Sequence, residues 1–372
     1  MHKIVKKTKR HVIKQNKNNR TKRNETVKKC VIEKTDMVLF GSGGSTAIVL
    51  ITKNDKVYKL FTLYYRSIDK NINLNIKIQN SIVNNEMNIY KLITKNVINK
   101  HISNHFVKFL GMNECHNVER LFSECPKKYT EFLQIDDSKK SRLCSNFYRN
   151  YPIEEIKTNY KVMELEYCNY SCADFIYDIS KLSIDKMKLY LDIFFFQIIH
   201  TLLSVRKVYP YFNHNDLFMR NILGTRENDD GKLYEYKFNH KRYFVPQKLY
   251  FPKIGDFGLT NLNAEYKDVR LYKNDYKDFY NLLYDVYDGA NLGAQSLSSL
   301  CSKNKAKDSF LKEYFSTFFD VEVIDVYKNK SPNQMNWDWY NVLDKDFVNS
   351  IKLQKPEDLL NHYFYAIFSK PK

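Results

Sequence analysis

Paired cysteines are missing from this 372-residue chain. Its seven cysteines, at positions 30, 115, 125, 144, 168, 172 and 301, form no C-x-x-C pair and leave one over. A disulfide framework is excluded, and a reducing, intracellular compartment is expected. A metal centre is poorly supported too, because His101, His105, Cys115 and His116 lack ligand-pair spacing. Long apolar runs are scarce. The basic start is not followed by an apolar segment, so no secretory signal is read. The most apolar stretch, Leu189–Leu203, contains Asp192, Gln197 and His200 and is too short to span a bilayer. It reads as a buried helix, and no transmembrane segment is expected. There is no internal repeat.

Acidic residues are scarce at the start of the chain. Residues 1–34 hold thirteen Lys or Arg against only Glu25 and Glu33, and so supply +11 of the +18 net charge. Large apolar residues are few there as well, so ordering entropy is not offset by burial. Residues 1–35 are expected to form a mobile basic tail. It is either a plain solvated extension or a dock for an anionic partner such as nucleic acid, an acidic protein or a membrane surface. Tyr and Phe, by contrast, number 29 and 25. They are spread along the whole chain, form no local stacking platform, and read as the codon bias of an AT-rich genome.

From Asp36 onward the pattern changes. MVLFGSGGSTAIVLI is a β-branched apolar run broken by glycines, and KVYKLF follows it after the polar turn TKND, which predicts a hairpin. Ile82, Met87, Ile89, Tyr90 and Ile93 fall near helical spacing and predict a helix over 74–95. Strands are expected over 105–115 and 160–166, with a polar insertion at 116–157 between them. Beyond Cys168 helices are expected over 184–208, 275–288, 308–319 and 356–368. The last opens on Pro356 with Glu357 and Asp358 in its first turn. The chain is therefore of the α+β class. A strand-rich part, 36–165, precedes a helical part, 166–372, which carries its own insertion at 224–252.

Several residues carry chemistry. Gly41, Ser42, Gly43 and Gly44 lie between two strand signals, where glycine lets backbone N–H groups approach a phosphate. Alone, a glycine cluster is more often just a turn. Lys59 in the next strand can neutralise phosphate oxygens, and Glu86 on the following helix can hold that lysine; each alone also reads as a surface charge. The loop HNDLFMRN at 214–221, followed by Asp256-Phe257-Gly258, is far more specific. Transfer of a γ-phosphoryl group needs one carboxylate to orient the acceptor hydroxyl. It also needs an amide and a second carboxylate to hold magnesium on the phosphates. Asp216, Asn221 and Asp256 supply those three groups in that order.

With these residues the chain resembles a protein kinase over roughly residues 37–285, most closely the kinases of large DNA viruses. The resemblance implies a bilobal kinase-like fold that uses ATP and magnesium and phosphorylates protein substrates on Ser or Thr. The locale would be the host cytoplasm or a virion. It implies that Gly41, Ser42 and Gly43 form the phosphate loop and that Lys59 pairs with Glu86. Glu166, Tyr167 and Cys168 would form the hinge, with Leu165 as gatekeeper. Phe40, Ile48, Val57 and Leu223 would sandwich the adenine. His214 and Asp216 fall in the catalytic loop, and Asn221 and Asp256 hold the metal.

Four departures stand out. Thr46 replaces the third loop glycine, with Gly44 as a possible shift of register. Asn215 replaces the Arg that reads a phosphate on the activation loop, which implies activity without that phosphorylation. Only nineteen positions separate Asp256 from Asp275, and no Ala-Pro-Glu follows. This is similar to haspin-like kinases, and Asp275 is expected to brace the catalytic loop, or simply to cap a helix. Phe218 stands where Ser/Thr kinases carry Lys, while Arg220 matches the tyrosine-kinase pattern and can supply the missing charge. The 224–252 insertion reads as an extended hairpin or a substrate-docking flap. Two other functions remain open: a small-molecule kinase of the choline or aminoglycoside type, and a basic-tailed pseudokinase that only binds. The sequence leaves oligomeric state open.

Overall fold

A computed structural model describes residues 29–30, 37–42, 47–52, 56–61, 72–116, 159–228, 231–247, 249–262, 277–288, 296–318 and 355–370. The glycines at 43 and 44, Thr46, Asp275 and the 117–158 part of the first insertion lie outside the described residues.

The architecture mixes sheet and helix, as the alternating and helical periodicities require. Strands β1 (Lys29–Cys30), β2 (Met37–Ser42), β3 (Ala47–Thr52), β4 (Lys56–Phe61), β5 (Phe109–His116) and β6 (Asn159–Glu166) form one sheet, ordered β1-β5-β6-β4-β3-β2. Neighbours are antiparallel except β1 and β5, which run parallel. The sheet thus begins inside the basic segment expected to be a mobile tail: Lys29 and Cys30 pair with Glu114 and Cys115. The expected hairpin around TKND is β3–β4, in register Val49↔Lys59. Helix α1 (Ile72–Ile93) follows and passes into a π turn, Thr94–Ile98. Val83, Met87, Ile89, Tyr90 and Ile93 are its buried face.

The helical part opens with β7 (Tyr170–Ser171) and α2 (Cys172–Ser180). Ser171 and Asp174 start α2 as a reciprocal capping box, each side chain accepting the other's backbone N–H. Helix α3 (Ile184–Arg206) is the apolar segment noted in the sequence. By length and composition alone it could cross a membrane. It is instead packed inside, with an unbroken buried run from Leu191 to Val205.

Strands β8 (Ile222–Arg226) and β11 (Tyr250–Ile254) join β7 in a sheet ordered β11-β8-β7. The intervening segment forms the hairpin β9 (Leu233–Phe238) and β10 (Lys241–Pro246). Helices α4 (Lys277–Asp288), α5 (Leu297–Cys301) and α6 (Lys305–Ser316) follow. Last come α7 (Pro356–Asp358), a π turn (Leu359–Phe364) and α8 (Tyr365–Phe368). Pro356 sits in the first turn of α7, where its missing N–H costs nothing.

Two buried polar groups fasten these elements. Asp192 on α3 accepts from Lys188 at 2.7 Å, from Tyr314 of α6 at 2.9 Å and from Tyr363 at 2.9 Å. His105, just before β5, donates from Nδ1 to the Pro252 carbonyl at 2.7 Å, and its Nε2 accepts from the Tyr236 hydroxyl at 2.7 Å. Tyr236 accepts in turn from Gln197 at 3.0 Å. With both ring nitrogens engaged, His105 is a structural tie rather than a metal ligand, and the described residues hold no cluster of three metal-ligating groups.

Candidate functional site

The central strand β4 brings Lys59 under the sheet, 5% exposed. Its ammonium lies 2.6 Å from Glu86 on α1 and 2.9 Å from Asp256 after β11. Burial alone would lower the lysine pKa, but the two carboxylates more than offset it and keep the group charged. Burial raises the pKa of Glu86, and the Lys59 charge counters part of that rise. For Asp256 burial acts upward as well, yet the Lys59 ammonium prevails and holds the carboxyl below the usual range. Asp256 remains 39% exposed, so an oxygen-seeking cation can reach it.

The loop 214–221 lies beside Asp256 because the backbone joins them. The Gly255 amide donates to the Asn221 carbonyl at 2.9 Å, and His214 donates from Nε2 to the Gly255 carbonyl at 2.9 Å. Asn213 and Asn261 exchange both backbone bonds. Asn221 donates its amide to the Asp216 carbonyl at 2.7 Å and to the Asp216 carboxylate at 2.9 Å. That fixes the orientation of the amide and leaves its oxygen as the end suited to a hard cation. Arg220 donates to the other Asp216 oxygen at 2.5 Å, and its guanidinium lies 4.8 Å from the centre of the Phe218 ring.

The loop is braced from helix α4. The Asp278 carboxylate accepts the His214 amide at 2.6 Å and the Asn215 amide at 2.9 Å. Asp275, for which the sequence suggests such a brace or a helix cap, lies outside the described residues; the brace observed is Asp278, in the first turn of α4. A second acid, Asp285, accepts the Met219 amide at 2.6 Å. Asn215 itself adopts φ 64° and donates to the Leu259 carbonyl at 2.9 Å. Asn tolerates that left-handed backbone better than most residues, which gives the Asn-for-Arg departure a local reason.

Other expected residues divide into two groups. Val57 and Leu165 are buried and directly paired across β4 and β6. Leu223 on β8 is 36% exposed and pairs with Lys253 and Ser171. Next to it Gly224 has no room for a side chain against the Phe251 carbonyl and the Tyr250 ring. Glu166 accepts from Lys253 at 2.6 Å and from the Lys108 amide at 3.1 Å, which ties the end of β6 to β11. Cys168 is half-buried, and burial pushes its thiol up to about 12, so it is a poor nucleophile. The backbones of Phe40, Gly41 and Ser42 pair with Leu50, Val49 and Ile48. Their side chains, and Gly43 and Gly44, lie outside what is described.

Tyr90 was missed as a site residue. It reads as core from its apolar spacing, yet its hydroxyl accepts the Asp256 amide at 2.9 Å. Its position four residues after Glu86, on the same helix face, was the available signal.

No family model matches the chain. It is 26% identical over 367 residues, 88% of each chain, to a protein of Acanthamoeba polyphaga mimivirus named "Putative serine/threonine-protein kinase".

Proposed function

We propose that the chain is an ATP-dependent protein kinase acting on Ser or Thr hydroxyls, active without phosphorylation of an activation loop. The observation that carries this is the Lys59 ammonium set between Glu86 and Asp256, with Asp216 and Asn221 joined to the same backbone. The mimivirus relative supports the protein-kinase class by its name alone. On this reading residues 36–165 are the nucleotide-covering lobe and 166–372 the substrate lobe. The chain works inside the host cell or in a virion, and the basic tail docks an anionic partner.

The roles follow from the groups present. Lys59, kept charged by its two carboxylates and positioned by Glu86, neutralises phosphate oxygens of ATP. Val57 and Leu223 flank the adenine, with Phe40 and Ile48, next to the Glu166–Cys168 hinge. Asp256 and the Asn221 amide oxygen hold magnesium, which when bound draws charge from the phosphates. Asp216 orients the acceptor hydroxyl. Arg220, held on Asp216 and against Phe218, places a fixed positive charge beside that hydroxyl. His214 fixes the loop through the Gly255 carbonyl. Catalysis of this kind is positioning and charge neutralisation.

The test is a radiolabel transfer from ATP to histone, casein and myelin basic protein beside choline, ethanolamine and aminoglycosides. Labelling of protein Ser or Thr, lost in Asp216→Asn, is expected. Labelling of the small molecules alone would reassign the chain to small-molecule kinases. Nucleotide binding without magnesium-dependent turnover would make it a pseudokinase.

A further inference from the structure

Tyr90 has no part in the chemistry just described, yet it is 2% exposed and meets that site at two points. Its hydroxyl oxygen accepts the Asp256 amide at 2.9 Å. Its ring meets Phe257 edge-on, with centroids 4.5 Å apart. Phe257 is fully buried and also touches Phe106 and His214. Helix α1 reaches the same stretch a third time, since Asn85 donates to the Thr260 carbonyl at 3.2 Å.

The residue so held is strained. Asp256 has φ 59°, a left-handed backbone that a non-glycine residue keeps only where its surroundings impose it. Lys59 holds its side chain, and among the described residues the Tyr90 hydroxyl is what its N–H bonds to. A phenylalanine would fill the same space and give that amide no acceptor.

We propose that the Tyr90 hydroxyl is a positioning group that fixes the left-handed backbone of Asp256 and thereby presents its carboxylate for magnesium. It acts from α1. The inference rests on the reading of Asp256 as the metal-holding carboxylate.

The experiment compares the full-length wild type, Tyr90→Phe and Tyr90→Met. Kinetics come from magnesium-dependent ADP release, and affinity from calorimetric titration with ADP, with and without magnesium. Tyr90→Phe removes one oxygen and keeps the ring. It is expected to hold metal-free ADP affinity within about twofold while losing about tenfold of the affinity gained with magnesium. Its kcat is expected to fall about tenfold with a smaller change in KM. Amide hydrogen exchange across residues 253–258 is expected to rise in the variant while α3 stays protected. Unchanged kcat and an unchanged magnesium gain would overturn the proposal. So would an equal loss of affinity with and without magnesium, which marks a general packing defect. If the Phe variant does not fold, Tyr90→Met decides on the same readouts. If the wild type gains ADP affinity from magnesium but transfers no phosphate, the kinase reading fails while the magnesium-linked affinity still judges Tyr90. If it gains none, both fall.

Discussion

At the scale of single residues, Asp216 and Lys59 can be separated by experiment. Asp216 already accepts from Arg220 and Asn221, so Asp216→Asn changes charge more than shape. It is expected to lower kcat by about 10²–10⁴-fold while nucleotide affinity stays within a few-fold, as read by ADP release and titration. Lys59→Met is different in kind. It leaves the buried Glu86 near the Asp256 carboxylate without the ammonium between them, so Glu86 should take up a proton at higher pH than before. A loss of kcat of at least about 10²-fold is expected in the coupled assay. The pairing of Lys59 with Glu86 was legible in the sequence, because the proposed phosphate chemistry needs particular side chains at particular spacings. Tyr90 was not, since a tyrosine at an apolar helical position reads as packing and its bond partner lies 166 residues away. Asp278 was not singled out, because the start of α4 decides whether it faces the loop, and helix ends are poorly marked in sequence.

At the scale of elements, helix α4 acts as a bracket for the loop 214–221. Asp278 takes two loop amides and Asp285 a third. Asp278→Ala orphans two amides at once and is expected to cost about 3 kcal/mol, seen as a lower urea midpoint with an unchanged slope. Asp278→Asn keeps one acceptor and should recover part of that loss. The hairpin β9–β10 fell within an insertion whose sequence already suggested paired strands. Its attachment through Tyr236 to His105 and Gln197 was not visible, because those bonds span 131 and 39 residues. Local periodicity announces an element; it does not say what that element is tied to.

At the scale of the whole molecule, buried histidines set the response to acid. Burial lowers His105 to about 3 and His200 to about 4, so both are neutral in the folded protein. Unfolded, each would titrate near 6.5, and the unfolded chain then binds more protons below that pH. Their contribution to stability is complete above about pH 6.5 and is lost as pH falls toward 4. Two such groups give a slope of up to about 2.7 kcal/mol per pH unit. Denaturant unfolding between pH 7 and 4.5 should show it, and His105→Gln should flatten it. Lys253 also faces His105 and lowers its pKa, so the effect is not burial alone.

The Asp192 junction bears on how the chain is made. Its partners emerge from the ribosome in order: Lys188 first, Tyr314 after 122 residues and Tyr363 after 171. At about 5–20 residues per second, the carboxylate waits on the order of ten to thirty seconds for its full set. Throughout that interval α3 is an apolar rod with an incomplete polar clamp, a natural substrate for chaperones. A messenger that stops translation before codon 355 would leave the clamp open for good, and its product should collect in the insoluble fraction.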